Sequence, residues 1–247
     1  ISNREFFERL VEGATRSIPA KRESIFEVDL RLRPYGSDGP RAVHIESFIE
    51  YFGPGGKSHS VERLALIRMR PIAGSQELGR RVTAIRDQLI YERDSIDVRD
   101  IRDLRTRQAE EKGLGTRLNA KFSPGALVDL EYNVQLLQIE HGRTHPTLRN
   151  PGIHATLRGL SELGTIDREE AESMIRSYRF LRNLINGLRM LRGHAQDLFL
   201  PDFDSLEALH LARRMGYRDG EDLSAAQQLR VDFEVETASV RSFVERH

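Results

Sequence analysis

Asp29 and Arg31 lie two residues apart on a strictly alternating run, so the chain places a carboxylate and a guanidinium on one face of a predicted strand. In IFEVDLRLRP, Phe26, Val28, Leu30 and Leu32 point one way and Glu27, Asp29, Arg31 and Arg33 the other. A carboxylate on such a face could hold a divalent ion against a phosphate. The same spacing suits a plain Asp29–Arg31 ion pair, and spacing alone favours the pair. Asp129 and Glu131 also invite a metal reading, but two residues of helix turn them by about 200° onto opposite sides. A cap, an interhelical pairing or an inter-domain contact fits them better, with Lys121 as a candidate partner. His141 and His145 have the four-residue ligand spacing, yet Gly142 and Pro146 break the helix that would align them. Asp202 and Asp204 spell a DxD, but PDFDS lies between helical patterns and predicts a turn with an N-cap at Asp204.

These groups need elements to position them, and the pattern is mostly helical. Phe6, Phe7, Leu10, Val11 and Ala14 recur at helical spacing behind an Asn3 cap. Pro34 ends the strand, YGSDGP reads as a loop, and short helices follow near His44 to Phe52 and Val61 to Arg70, separated by GPGGK. Beyond Gly74 strand signals vanish. Ser75 caps a helix to about Tyr91, another runs from about Asp97 to Lys112, and the stripe Leu127, Leu130, Val134, Leu137 ends at Gly142. Asn150-Pro151 reads as a cap with a first-turn proline, for a helix ending near Gly164. Asp167 with Glu170 opens a long helix whose Ala171, Met174, Tyr178, Leu181, Ile185 and Leu188 face inward. Helices over about Ser205 to Met215 and Leu223 to Val244 complete the chain.

Composition narrows the function classes. With 247 residues and 38% apolar content the chain can bury a core, and its 38 basic residues balance 38 acidic ones, so no global field points to nucleic acid or an anionic membrane. Cysteine is absent, which excludes disulfides, thiol nucleophiles and Cys-based zinc sites and suits a reducing cytoplasm. No apolar run approaches a membrane span, and ISNREFFERL lacks the features of an export signal, so a soluble, cytoplasmic protein is expected. Only Lys21, Lys57, Lys112 and Lys121 are lysines; the other cations are arginines, whose planar fork pairs with carboxylate or phosphate, though ion-pair networks explain them equally well.

The segments VDLRLRPYGSDGP, ERLALIRMRPIAG and KFSPGALVDLEYNVQ occur in the order and at about the spacing of the bacterial glutamine-synthetase adenylyltransferases. With the first helix and HPTLRN, the resemblance runs over nearly the whole chain; one departure is Val61, where most family members carry Trp ahead of the Glu62-Arg63 position. The resemblance implies a mainly α fold with a small α+β part. Residues 1–74 would be the C-terminal portion of a polymerase-beta-type nucleotidyltransferase domain, and residues 75–247 a helical bundle of the kind shared with uridylyltransferases of the PII signalling protein.

In such enzymes one unit transfers AMP from ATP to a tyrosine of glutamine synthetase and a second removes it by phosphorolysis. GALVDLEY and TLRNPGIHATLRGL resemble the adenylylating, C-terminal unit. The resemblance further implies magnesium with ATP as substrate, and glutamine synthetase and PII as partners. Family members hold the metal with a DxD after a Gly-Ser turn plus a third carboxylate on an adjoining strand. Asp29 matches the third position, while the Gly-Ser…DxD element is expected ahead of Ile1, so the isolated chain should be inactive. Gly36-Ser37-Asp38 does not replace it, because it follows the carboxylate strand instead of opening a strand-turn-helix unit. Arg31, Arg33, Arg63, Arg68 and Arg70 fall in the matched region as candidate triphosphate contacts, and Lys121, Asp129 and Glu131 as inter-domain or regulatory residues. The rival readings are a deadenylylating unit, and a non-catalytic module that binds PII or glutamine synthetase.

Overall fold

A computed structural model describes residues 1–18, 28–92, 96–112, 117–194 and 196–247. Among them are ten α-helices and no strand. They are α1 Asn3–Arg16, α2 Ile45–Phe52, α3 Ser60–Ala65, α4 Gln76–Tyr91, α5 Val98–Lys112, α6 Leu127–Gly142, α7 Ile153–Glu162, α8 Arg168–Arg192, α9 Leu206–Arg214 and α10 Ala225–Arg246. The mainly α expectation holds. The chain forms two compact units, one from Ile1–Ile101 with Gln138–Gly152, the other from Arg102–Leu137 with Ile153–His247.

The strand expected over residues 26–33 is not found where it can be followed. Phe26 and Glu27 lie outside the described residues, and Val28–Arg31 forms no ladder with another described segment before the chain bends at Leu32 and Arg33. Alternation describes a strand only when a neighbour supplies the hydrogen bonds, and no described segment does so here.

In the first unit, Tyr51 and Phe52 of α2, Leu64 of α3, Leu66 and Ile67 of the 3-10 turn after it, and Leu89, Ile90 and Tyr91 of α4 are buried together with Ile101, Ile139 and Leu148. α4 packs on both α2 and α3. Ser75 caps α4 as its position predicts, accepting from the Leu78 N–H at 3.3 Å. At α1 the cap is Ser2, one residue earlier than expected, because its extended backbone lets its hydroxyl accept from the Glu5 N–H at 3.2 Å.

The second unit is organised on α8, which packs against α7, α9 and α10. Asp167 caps it, accepting from the Glu170 N–H at 2.6 Å, and Gly193 ends it in the left-handed conformation at φ 71°. Of the residues expected inward, Ala171, Met174, Leu181, Ile185 and Leu188 are buried and Tyr178 is half-buried. Each fully buried leucine contributes about 1.5–3 kcal/mol. Gly187 lets α9 approach closely: a Cβ there would lie 2.9 Å from Leu211 Cδ1. Residues 118–120 and 198–200 meet at one antiparallel bridge, through Ala120 N–H to Leu198 O at 2.9 Å and Leu200 N–H to Leu118 O at 2.7 Å.

Two loop assignments shift. Ser205 rather than Asp204 caps α9, accepting from the Ala208 N–H at 3.2 Å, while Asp202 closes the turn by accepting from the Asp204 N–H at 3.1 Å. Asn150 closes an Asx turn onto the Gly152 N–H at 2.9 Å, and α7 begins at Ile153, so Pro151 precedes the helix.

Candidate functional site

Asp29 and Arg31 form the pair that their spacing allows. Asp29 Oδ1 accepts from the Arg31 backbone N–H and from its Nε, each at 2.9 Å, and Oδ2 accepts from Arg31 Nη2 at 2.7 Å. The side chains are 45% and 76% exposed, so water screens the pair and it contributes at most about 1 kcal/mol.

Behind it the loop is braced. Arg33 donates to the carbonyls of Leu30, Ser37 and Gly39, the last two at 3.1 Å, closing residues 30–39 around one guanidinium. Tyr35 takes a left-handed backbone at φ 65°, which leads into the 3-10 turn Gly36–Asp38. Its ring lies 4.8 Å from the Tyr51 ring, with Lys57 Nζ 5.8 Å above it. Tyr51 in turn donates to Glu62 at 2.9 Å, and burial, then Glu62, raises the Tyr51 phenol above its ordinary value. Arg63 donates to Ser58 Oγ at 2.9 Å and to Ser58 O at 2.8 Å. Thus Arg33 binds the carbonyls around it and Arg63 binds Ser58, whereas Arg68 and Arg70 are exposed beyond α3.

A second cluster in the same unit escapes sequence reasoning. Arg86 is 4% exposed; it binds Asp87 Oδ1 through Nε at 2.8 Å and Nη2 at 2.6 Å, and donates to Met69 O at 2.8 Å and Arg149 O at 3.3 Å. The Arg149 guanidinium lies 5.1 Å from the Tyr91 ring centre and donates to Gly142 O at 2.9 Å. Gln138 Nε2 holds Leu148 O and Asn150 O, each at 2.6 Å. This network fastens HPTLRN to α4. Burial pushes the Tyr91 phenol up to about 12, and its hydroxyl has no hydrogen-bond partner among the described residues. The signal in the sequence was HPTLRN itself; the adjacent Arg86-Asp87 gave none.

In the second unit Asp129 and Glu131 both lie on α6. Asp129 accepts from Arg105 of α5 through Nε and Nη2, the second at 3.0 Å, and from the Gly125 N–H at 2.6 Å. It therefore fastens α5 and the SPG turn to the start of α6. Glu131 is 9% exposed, and Lys121 Nζ lies 5.0 Å from the Phe122 ring centre. His145 falls past the end of α6.

Among the described residues no three His, Asp or Glu side chains gather where they could share a metal ion. Magnesium prefers a near-octahedral oxygen shell. Asp29, with both oxygens bonded by Arg31, does not by itself fit that ion. Nor is any described helix long and apolar enough to cross a membrane.

Two family models match successive parts of the chain. Residues 1–85 match the family model described as glutamate-ammonia ligase adenylyltransferase, and residues 98–247 match that described as GlnD PII-uridylyltransferase. Similar curated proteins are bifunctional glutamine synthetase adenylyltransferase/adenylyl-removing enzymes. That of Psychromonas ingrahamii is 30% identical over 90% of this chain and 24% of its own length. The Streptomyces coelicolor protein is 33% identical over 78% of this chain and 20% of its own, and that of Mycobacterium marinum 34% over 88% and 22%. The chain thus spans less than a quarter of the length of these relatives.

Proposed function

This chain belongs to the glutamate-ammonia ligase adenylyltransferase family, and from that premise we propose that it is a segment of a longer enzyme that transfers AMP from ATP to a tyrosine of glutamine synthetase. The observation that carries the reading is the tandem order of the two family matches, residues 1–85 followed by residues 98–247, in one chain. Residues 1–74 are read as the end of the nucleotidyltransferase domain and residues 75–247 as the helical domain. PII and glutamine synthetase are read as the partners of the longer protein, which acts in the cytoplasm.

In-line transfer to a hydroxyl needs charge neutralised on the attacking and leaving oxygens. Asp29 is the one carboxylate of this chain that the family pattern assigns to magnesium, and one carboxylate does not make that site. What the chain supplies is position: Arg33 and Tyr35 hold the loop that carries Asp29 against α2, and Asp29 is exposed.

The isolated chain, incubated with glutamine synthetase, magnesium and ATP labelled in its α-phosphate, should incorporate no label. Incorporation above that of a no-protein control would refute the assignment of the essential carboxylates to residues outside Ile1–His247. Because the relatives' name joins both activities, release of ADP from adenylylated glutamine synthetase in phosphate is measured in the same series.

A further inference from the structure

α8 carries four arginines that have no carboxylate within ion-pair distance among the described residues: Arg176, Arg179 and Arg182, which are exposed, and Arg189, which is half-buried. This departs from the habit of the chain, where Arg4, Arg9, Arg16, Arg168 and Arg230 each meet a glutamate one turn away. Glu172, one turn before Arg176, is taken by Arg168 at 3.1 Å. The field is felt by neighbours: burial and then Arg182 lower the Arg189 guanidinium, and burial followed by Arg179 and Arg158 lowers His154. Like charges left together on a helix destabilise it, so the fold gains nothing from this arrangement.

Beside the arginines runs a groove of about 380 Å³. Phe180, Asn183, Gly187 and Met190 of α8 recur at three- and four-residue spacing to form one wall, and Met215 and Tyr217 after α9 form the other, with Arg214 at the edge. Gly187 brings α9 close to α8, and Tyr217 is fixed by its bond to Asp232 of α10. Met190 is 46% exposed. Aromatic, methionine and arginine side chains together are the composition of protein-binding surfaces, and methionine adapts to the shape of what it covers.

We propose that this face of α8 and α9 docks an acidic polypeptide segment of a partner protein, whose carboxylates meet Arg176, Arg179 and Arg182 while an apolar side chain enters the groove beside Met190. A phosphate backbone would satisfy the arginines but leave Phe180, Met190 and Met215 uncovered, which is why a polypeptide is the favoured occupant. The inference does not rest on the adenylyltransferase reading, since it concerns binding alone.

The test uses this chain and a fluorescent random copolymer of glutamate and tyrosine, with polyglutamate and single-stranded oligothymidine for comparison, followed by anisotropy. The glutamate–tyrosine copolymer should bind, with affinity falling about tenfold or more in Arg179→Ser/Arg182→Ser, severalfold in Met190→Ser, and steeply with added salt. Arg9→Ser/Arg16→Ser removes the same charge elsewhere and should leave affinity unchanged. Absence of binding, equal loss in the control variant, or equal affinity for oligothymidine with no effect of Met190→Ser would overturn the proposal. So would a second copy of this chain occupying the face, seen as concentration-dependent dimerisation abolished by Met190→Ser, or the longer protein covering it, seen as binding by this chain but not by the longer one.

Discussion

Replacing Asp129 by alanine removes the acceptor on which Arg105 and the SPG turn both depend. The two side chains are 13% and 16% exposed, and Arg105 Nη1 has no partner among the described residues. After the change the guanidinium keeps, among the described residues, the bonds from Nη2 to Phe122 O at 3.0 Å and Ser123 O at 3.4 Å, and the Gly125 N–H loses the Asp129 acceptor. Breaking a buried pair costs about 3–5 kcal/mol, and the residual exposure brings the expectation to the lower end, about 3 kcal/mol. Arg105→Met should cost less, about 2 kcal/mol, because Asp129 keeps the Gly125 N–H and can draw in water. The double variant should cost about 2 kcal/mol less than the sum of the two. Urea unfolding followed by circular dichroism reads these differences, and a thermal scan should show about 6–12 °C lost in Asp129→Ala. A loss below about 0.5 kcal/mol, or strict additivity of the pair, would refute the idea that this contact fastens α5 to α6.

Tyr91→Phe should be neutral or stabilising by about 1 kcal/mol, since the buried hydroxyl satisfies nothing; a loss beyond about 1 kcal/mol would reveal a partner for it. Gly125→Ala should cost more than about 2 kcal/mol, because φ is +78° and the new Cβ would sit 2.1 Å from Thr237 O; an unchanged denaturation midpoint would contradict that close approach. His154 is held below its ordinary value by burial and by Arg179 and Arg158, so the folded chain favours the neutral ring. Its contribution is complete above the unfolded value of about 6.5 and is lost as pH falls below it. The difference in stability between His154→Gln and the parent sequence should therefore shift in the variant's favour on going from pH 7 to pH 5, and a pH-independent difference would refute the sign.

Much of the helical frame could be read from residue patterns. Ser75 and Asp167 cap where their positions demand, and α4 and α6 end at Tyr91 and Gly142 because helical periodicity stops there. Caps moved by one residue at Ser2 and Ser205, where two neighbouring polar side chains compete and only backbone geometry decides. Over residues 28–33, the described part of the expected strand, no ladder forms among the described residues, because alternation is local whereas a ladder requires a partner. Asp129 was legible as a helix-to-helix or capping residue, but Arg105, 24 residues earlier, was not, since nothing in the sequence records a tertiary pairing. The exposure of Phe6, Phe7 and Leu10 was equally hidden, because an apolar stripe forecasts a helix without saying what lies against it.

Asp29 is proposed above as one carboxylate of the magnesium site of the longer adenylyltransferase. The direct measurement is transfer of labelled AMP to glutamine synthetase by the longer protein, with and without Asp29→Asn. The parent sequence should give a labelled tyrosine, and Asp29→Asn should lose transfer with unchanged thermal stability. Near-normal turnover by Asp29→Asn, or no labelling by the parent, would contradict it.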